Sequence, residues 1–210
     1  MFETAGRWGH GGVDFVHVAF GTVLGDDGKP FKTRAGDTVG LEALLDEGVS
    51  RALGVVTAAD ADRGTGMPAA ERQRIAEAVG IGAIKYADLS QNRTTDYVFS
   101  FDKMLQLTGN TAAYMQYAVA RVEGIFAKGG IDRSAARQAC EGVLLSDPRE
   151  RSLAMKLLRF AEALEDVEAD YRPNVLTAYL YDVAGAYSTF YDALPVLKAT
   201  GPERASRLAL

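Results

Sequence analysis

Residues 81–110 read IGAIKYADLSQNRTTDYVFSFDKMLQLTGN and continue as TAAYMQYAVARVEGIF over residues 111–126. The stretch passes from a helix through a polar loop into a second helix. Ile75, Val79, Gly82 and Tyr86 recur at helical spacing on a segment opened by Pro68 and carried to about Ala87. Gly80 and Gly82 each cost that helix roughly 1 kcal/mol of propensity, so close packing against another backbone is expected to require them. The run Ser90-Gln91-Asn92-Arg93-Thr94-Thr95 then supplies hydrogen-bonding and basic groups. Such a loop either closes turns and caps or grips a phosphate or 2′-hydroxyl. Beyond it, Met115, Val119, Val122 and Phe126 form an apolar stripe, with Tyr114, Tyr117 and Arg121 on the neighbouring face and Gln116 one position away. An aromatic stripe at this spacing is most often core; its alternative is stacking on unpaired bases. Lys128-Gly129-Gly130 stops the helix.

Toward the carboxy terminus the pattern stays helical. Residues 131–143 predict a second helix. Asp147, Pro148 and Glu150 then open a third as N-cap, first position and capping-box acid. Its apolar face is Leu153, Leu157, Phe160, Leu164 and Val167. Pro173 opens a fourth, with Leu176, Leu180, Val183, Tyr187, Phe190 and Leu194 aligned until Pro195. Tyr179, Tyr181 and Tyr191 are similar in kind to the earlier tyrosines. Glu162, Glu165, Asp166, Glu168 and Asp170 would repel phosphate and predict a solvated face pointing away from any RNA.

Toward the amino terminus the period changes. VDFVHVAFGTV (residues 13–23) is β-branched and aromatic and ends at Gly25-Asp26-Asp27-Gly28, which predicts a strand and a turn. KPFKTRAG (residues 29–36) is a polar, basic loop. Asp37 or Thr38 is expected to cap a short helix over residues 41–53, with Leu41, Leu44, Leu45 and Val49 on one face. The small, polar residues 57–67 predict a flexible link. Periodicity thus gives a β-containing front and a helical-bundle back. Lys32 and Arg34, hinged by Gly36, could place cations on a polyphosphate during phosphoryl or nucleotidyl transfer, although such a loop is more often a solvated basic turn. The GxxxxGK[ST] spacing of a Walker loop is absent. His10 and His17 have no Cys/His cluster around them, so no metal site is expected, and the single cysteine, Cys140, reads as a core thiol.

Bulk properties exclude more than they assign. At 210 residues, 48% hydrophobic and 24% charged, the chain can bury a real core and is no disordered segment. It has neither a membrane-length apolar run nor a signal-peptide pattern, which together fit the cytoplasm. The net charge of −5 argues mildly against nucleic acid. Lys and Arg against Asp and Glu stand at 11 to 15 over residues 1–107 and 12 to 13 over residues 108–210. RNA contact would therefore have to come from local patches and stacking.

IKYADLSQNRTTDY and GNTAAYMQYAVAR closely resemble the arginine–tRNA ligase family, where the class I catalytic domain leads into the helical anticodon-binding domain. HVAFGTVLGDDGKPFKTRAGDTV (residues 17–39) resembles the end of the family's nucleotide-binding fold, with FKTRAG as a degenerate KMSKS loop. The resemblance implies a mainly α chain: a small α/β remnant of a Rossmann-like catalytic domain (residues 1–66), a helical junction contacting the tRNA stem (67–108), and an α-helical bundle anticodon-binding domain (109–210). It implies catalytic roles for Lys32 and Arg34 and an ATP-side loop made of Phe31, Lys32, Thr33, Arg34 and Gly36. It also implies tRNA contacts from Lys85, Asn92, Arg93, Tyr114, Gln116, Tyr117 and Arg121. ATP, with magnesium, and arginine would be the small substrates, and an arginine-accepting tRNA the partner. The HIGH signature and the family's final helix are not found, so the chain is expected to be a carboxy-terminal portion, inactive in adenylate formation alone: a fragment, a truncated gene product, or a split subunit whose partner would be a separate catalytic polypeptide. A non-catalytic tRNA-binding module is the alternative, and a helical scaffold without RNA a third reading.

Overall fold

The computed structural model describes residues 2–25, 27–30, 40–106, 108–138 and 142–210. Helices dominate: α1 (Phe2–Ala5), α2 (Leu41–Arg63), α3 (Ala69–Leu89), α4 (Phe101–Met104), α5 (Ala112–Gly129), α6 (Arg133–Gln138), α7 (Pro148–Leu158), α8 (Phe160–Asp170), α9 (Pro173–Ala193) and α10 (Gly201–Ala209). Short π-helical and 3-10 turns cover Gly6–His10 and Val196–Lys198. The β structure among the described residues is one parallel pair, β1 (Val23–Leu24) beside β2 (Tyr97–Val98), with Val23 opposite Tyr97 and Leu24 opposite Val98, and an antiparallel bridge from Leu24 to Pro30. A mainly α fold with a small β front and a helical-bundle back is what the periodicity implied.

The front differs from expectation in two respects. Residues 13–22 form no regular strand and are mostly exposed. A strand exists only where a neighbour supplies ladder partners, and β2 supplies them at Tyr97 and Val98. In turn, α2 runs past Leu53 to Arg63 and absorbs much of the stretch expected to be a link. Asp60 explains this. Its buried carboxylate accepts from the Thr65 hydroxyl, the Met67 amide (3.1 Å) and Arg72 (2.9 Å), which fastens the end of α2 to the start of α3. Gly64, in the left-handed region at φ 63°, closes the helix.

Helices α2 and α3 pack along their lengths. They meet at paired glycines: a Cβ on Gly80 would lie 2.6 Å from the Gly48 carbonyl oxygen, and one on Gly48 would meet Ile84 Cδ1 at 2.7 Å. The cost of glycine in α3 is thus offset by an approach that no larger residue permits.

The bundle also departs from the simple pattern. The helix expected over residues 131–143 is described as α6, Arg133–Gln138. Residues 142–146 are not helical; instead the Leu144 amide donates to Ser206 Oγ (2.7 Å), which donates back to the Leu144 carbonyl (3.1 Å), tying that segment to α10. The third expected helix breaks at Arg159 into α7 and α8, both of which pack on α9. The break buries Leu153 and Ala163 and leaves Leu158 and Phe160 exposed. Asp147 and Glu150 form the expected reciprocal capping box.

Two apolar centres result. One gathers Ala83, Ile84, Phe99, Met104 and Ala112 beneath the front half, and the other gathers Leu153, Phe190, Leu194 and Val196 inside the bundle. The Tyr86 hydroxyl joins them, reaching Asn110 Oδ1 (2.6 Å) and the Thr177 carbonyl of α9 (3.1 Å). Burial pushes that phenol up to about 12, so it stays a neutral donor.

Candidate nucleic-acid interface

Helix α5 organises the surface singled out by the sequence. Thr111 caps it, accepting from the Tyr114 amide at 3.2 Å, and Gly130 ends it in the left-handed region at φ 59°. Ala112, Ala113 and Ala118 face inward, which turns the tyrosine face toward α9 and its edge toward solvent. Tyr114 is half-buried, its ring 5.7 Å from Tyr181 and its hydroxyl 3.2 Å from Ser188 Oγ. Tyr117 is 51% exposed. Between these tyrosines and α9 lies Arg121. Its guanidinium stands 3.9 Å from the centroid of Tyr191 and 5.4 Å from that of Tyr117, bonds Ser188 Oγ at 3.3 Å, and pairs with Asp192. Burial acts to lower the Arg121 pKa, but the Asp192 carboxylate outweighs it and holds the cation firmly charged.

The outcome is a Tyr–Arg–Tyr ladder with one free aromatic face. Cation–π contacts hold the rings flat and the ion pair with Asp192 cancels most of the added charge. Such a surface presents π-faces for stacking and little net field, which suits unpaired bases better than a duplex backbone. Ser188 and Asp192 were not foreseen. The signal was available: a half-buried arginine requires a counter-ion, and Ser188, Tyr191 and Asp192 share one face of α9 at helical spacing.

The other sequence-chosen residues fall elsewhere. Gln116 faces α3, donating to the Ala78 carbonyl at 2.9 Å above Gly82, where a Cβ would stand 2.8 Å from its Nε2. Asn92 folds its own turn, its Oδ1 accepting from the Thr94 amide (3.2 Å) and hydroxyl (3.0 Å). Arg93 donates to the backbone carbonyls of Ala19, Asp170 and Tyr171. Lys85 is exposed on α3 and has no ion pair among the described residues. Phe31, Lys32, Thr33, Arg34 and Gly36 lie outside the described residues, as does Cys140. The acidic residues of α8 are exposed.

A second surface feature is apolar. An open cleft of about 370 Å³ runs between α5, α7, α9 and α10, lined by Val119, Val122, Leu157, Leu180, Tyr187 and Leu208 among others. Val119, expected in the core stripe, is 60% exposed on its rim. Burial pushes the Tyr187 phenol there up to about 12. Among the described residues no three His, Cys, Asp or Glu side chains are gathered as a metal site, and no helix is long and apolar enough to cross a membrane.

Comparison with known proteins places both halves. Residues 3–101 match the family model of the class I tRNA synthetase catalytic domain for arginine, and residues 115–210 match that of the DALR anticodon binding domain. The chain matches the arginine–tRNA ligase family in both its domains. It is 52% identical over 199 residues to the arginine–tRNA ligase of Enterobacter sp. (strain 638), covering 94% of this chain and 33% of that protein. Against the Actinobacillus succinogenes arginine–tRNA ligase it is 50% identical over 194 residues, 92% of this chain and 32% of that one. The chain therefore spans about a third of the length of the curated relatives it matches. Among solved structures, arginyl-tRNA synthetase from Plasmodium falciparum aligns with a TM-score of 0.77 at 27% identity, covering 99% of this chain and 34% of that one. The Thermus thermophilus arginyl-tRNA synthetase aligns at 0.71 and 28%, covering 92% and 31%.

Proposed function

We propose that this chain supplies the anticodon-binding bundle and the ATP-side loop of an arginine–tRNA ligase. In that reaction the arginine carboxylate attacks the α-phosphorus of ATP, giving arginyl-adenylate and pyrophosphate. A ribose hydroxyl at the tRNA 3′ end then takes the arginyl group and AMP leaves. Lys32 and Arg34 are the residues assigned to the polyphosphate, where cations offset charge developing on the departing pyrophosphate, with Phe31, Thr33 and Gly36 shaping the loop. Magnesium would be carried on the ATP phosphates; no step is assigned to it. The bundle takes the anticodon loop, and the front half lies along the tRNA stem with Lys85 turned toward its phosphates. The work belongs to the cytoplasm.

The observation that carries this reading is the exposed Tyr117 face on the Arg121–Tyr191 ladder, within the part matched to the anticodon binding domain. Titration of the chain with an arginine-accepting tRNA and with a non-cognate tRNA of equal length tests it. Preference for the arginine tRNA is expected. Equal affinity for both, or none for either, would overturn the proposal. A complete ligase assay with the rest of the catalytic domain supplied, on the same chain or a second one, separates a working portion from a binding module: aminoacylation that disappears in K32A/R34A supports the former.

A further inference from the structure

Arg93 sits where three parts of the chain converge. Its guanidinium donates to the Ala19 carbonyl at 2.6 Å, on the segment that leads into β1 and the ATP-side loop. It also donates to the Asp170 and Tyr171 carbonyls at 3.0 Å each, at the carboxy-terminal end of α8. Its own carbonyl accepts from the Gly21 amide at 2.6 Å. The arginine therefore joins the nucleotide-side segment to the anticodon-binding bundle through backbone atoms on both sides.

The local chemistry is built for this. Carbonyls at the end of a helix lack intrahelical partners and carry the negative end of its dipole, so a guanidinium there satisfies both bonding and charge. Among the described residues Tyr171 is the non-glycine residue that adopts a left-handed backbone, φ 53°, and its carbonyl is one of those captured. On the other side, Gly21 approaches so closely that a Cβ would stand 2.3 Å from the Thr95 carbonyl oxygen. The Thr22 amide donates to Asp96 Oδ1 at 2.6 Å beside it. The rigid guanidinium fork spreads its donors over carbonyls of two separate segments, whereas an ammonium gathers its three donors on one atom at the end of a flexible stem.

We propose that Arg93 is a positioning residue that fixes the nucleotide-side segment on the RNA-binding bundle, so that a tRNA spanning both halves meets them already in register. This rests on the proposed function above. A pre-set spacing makes the second contact effectively intramolecular, and loosening it lowers the affinity of a ligand that spans both halves without touching one that binds a single half.

The test compares the native chain with Arg93→Gln and Arg93→Lys, using a whole arginine-accepting tRNA and its isolated anticodon stem–loop. Arg93→Gln is expected to weaken the whole tRNA about tenfold and leave the stem–loop within about twofold. Arg93→Lys, which keeps the charge and part of the bonding, should fall between, and decides the matter should the glutamine variant not fold. Equal losses for both RNAs would overturn the proposal and make Arg93 an RNA contact, and unchanged affinity for both would overturn it too. Amide exchange at Gly21 and Thr22 in the RNA-free proteins stands apart from any RNA binding. Faster exchange in Arg93→Gln than in Arg93→Lys is expected, and equal exchange overturns the clamp. If the native chain binds neither RNA while the exchange difference holds, the functional reading fails and the clamp survives.

Discussion

Tyr117 offers the sharpest test at the scale of one residue. It is exposed, it touches Arg121 through its face, and among the described residues its hydroxyl has no hydrogen-bond partner. Tyr117→Ala should weaken an anticodon stem–loop by about 1–3 kcal/mol, while Tyr117→Phe keeps the stacking face and binds nearly as well. Fluorescence anisotropy checks the pair, and unchanged thermal midpoints would confine the loss to binding. Glu150 gives a second test. Burial works to raise its pKa, but Arg207 Nε at 2.8 Å and the Asp147 amide at 2.9 Å outweigh it and hold the carboxyl below its ordinary 4.5. A lowered native pKa stabilises the fold above the unfolded value and ceases to do so as pH falls through the native one. Glu150→Gln should therefore melt earlier than the native chain at neutral pH, and the two melting points should begin to converge below about pH 4.5 and meet once pH has passed the lowered native value. A gap that stays constant down the acid limb would contradict this assignment. Residue type was legible here and partnership was not. The capping box follows from Asp147 and Glu150 three apart, but nothing near them in sequence announces Arg207.

Helix–helix contacts carry the next level. The glycines of α3 announce a close approach in the sequence, since glycine inside a helix calls for a reason; Gly48, across from Gly80, shows its part only in the structure. Gly80→Ala forces a Cβ to 2.6 Å from a backbone oxygen that has no rotamer to escape with, and is expected to cost about 1–3 kcal/mol. Gly54, on the same α2, has nothing within 4 Å of where its Cβ would be. Gly54→Ala should accordingly stabilise by about 0.5–1 kcal/mol through propensity alone. Thermal denaturation of the two variants should move in opposite directions, and a shared direction would refute the packing account. The length of α2 was misread because TAADADRG looks like linker by composition. What keeps Thr57–Ala61 helical is a carboxylate at Asp60 that finds Thr65, Met67 and Arg72, a tertiary circumstance invisible to a local window. The strand at the front was misread for the opposite reason. Its residues suit a sheet, but pairing needs a neighbour more than seventy positions away, and β2 is short.

For the molecule as a whole, charge decides how RNA binding responds to salt. The chain carries −5 overall, and both arginines singled out by the sequence are already engaged: Arg121 with Asp192 in the ladder, Arg93 with three carbonyls elsewhere. Lys85 remains exposed on the front half, with Lys128 and Lys198 near the ladder beside Tyr191 and Asp192. Each phosphate neutralised contributes a slope of about −0.7 on single strands to the logarithm of affinity against the logarithm of salt concentration. Two or so phosphate contacts from such lysines give a slope of roughly −1 to −2 for an anticodon stem–loop, far shallower than the slope near −10 of a strongly basic nucleic-acid binder. Stacking on Tyr117 would then carry most of the affinity and persist at salt concentrations that dissociate electrostatic complexes. Titrations at several salt concentrations measure the slope directly. Lys198→Ala should flatten it by less than one and Tyr117→Ala should leave it unchanged while lowering affinity at every salt concentration. A steep slope in the native chain would place the RNA on a basic surface other than this ladder.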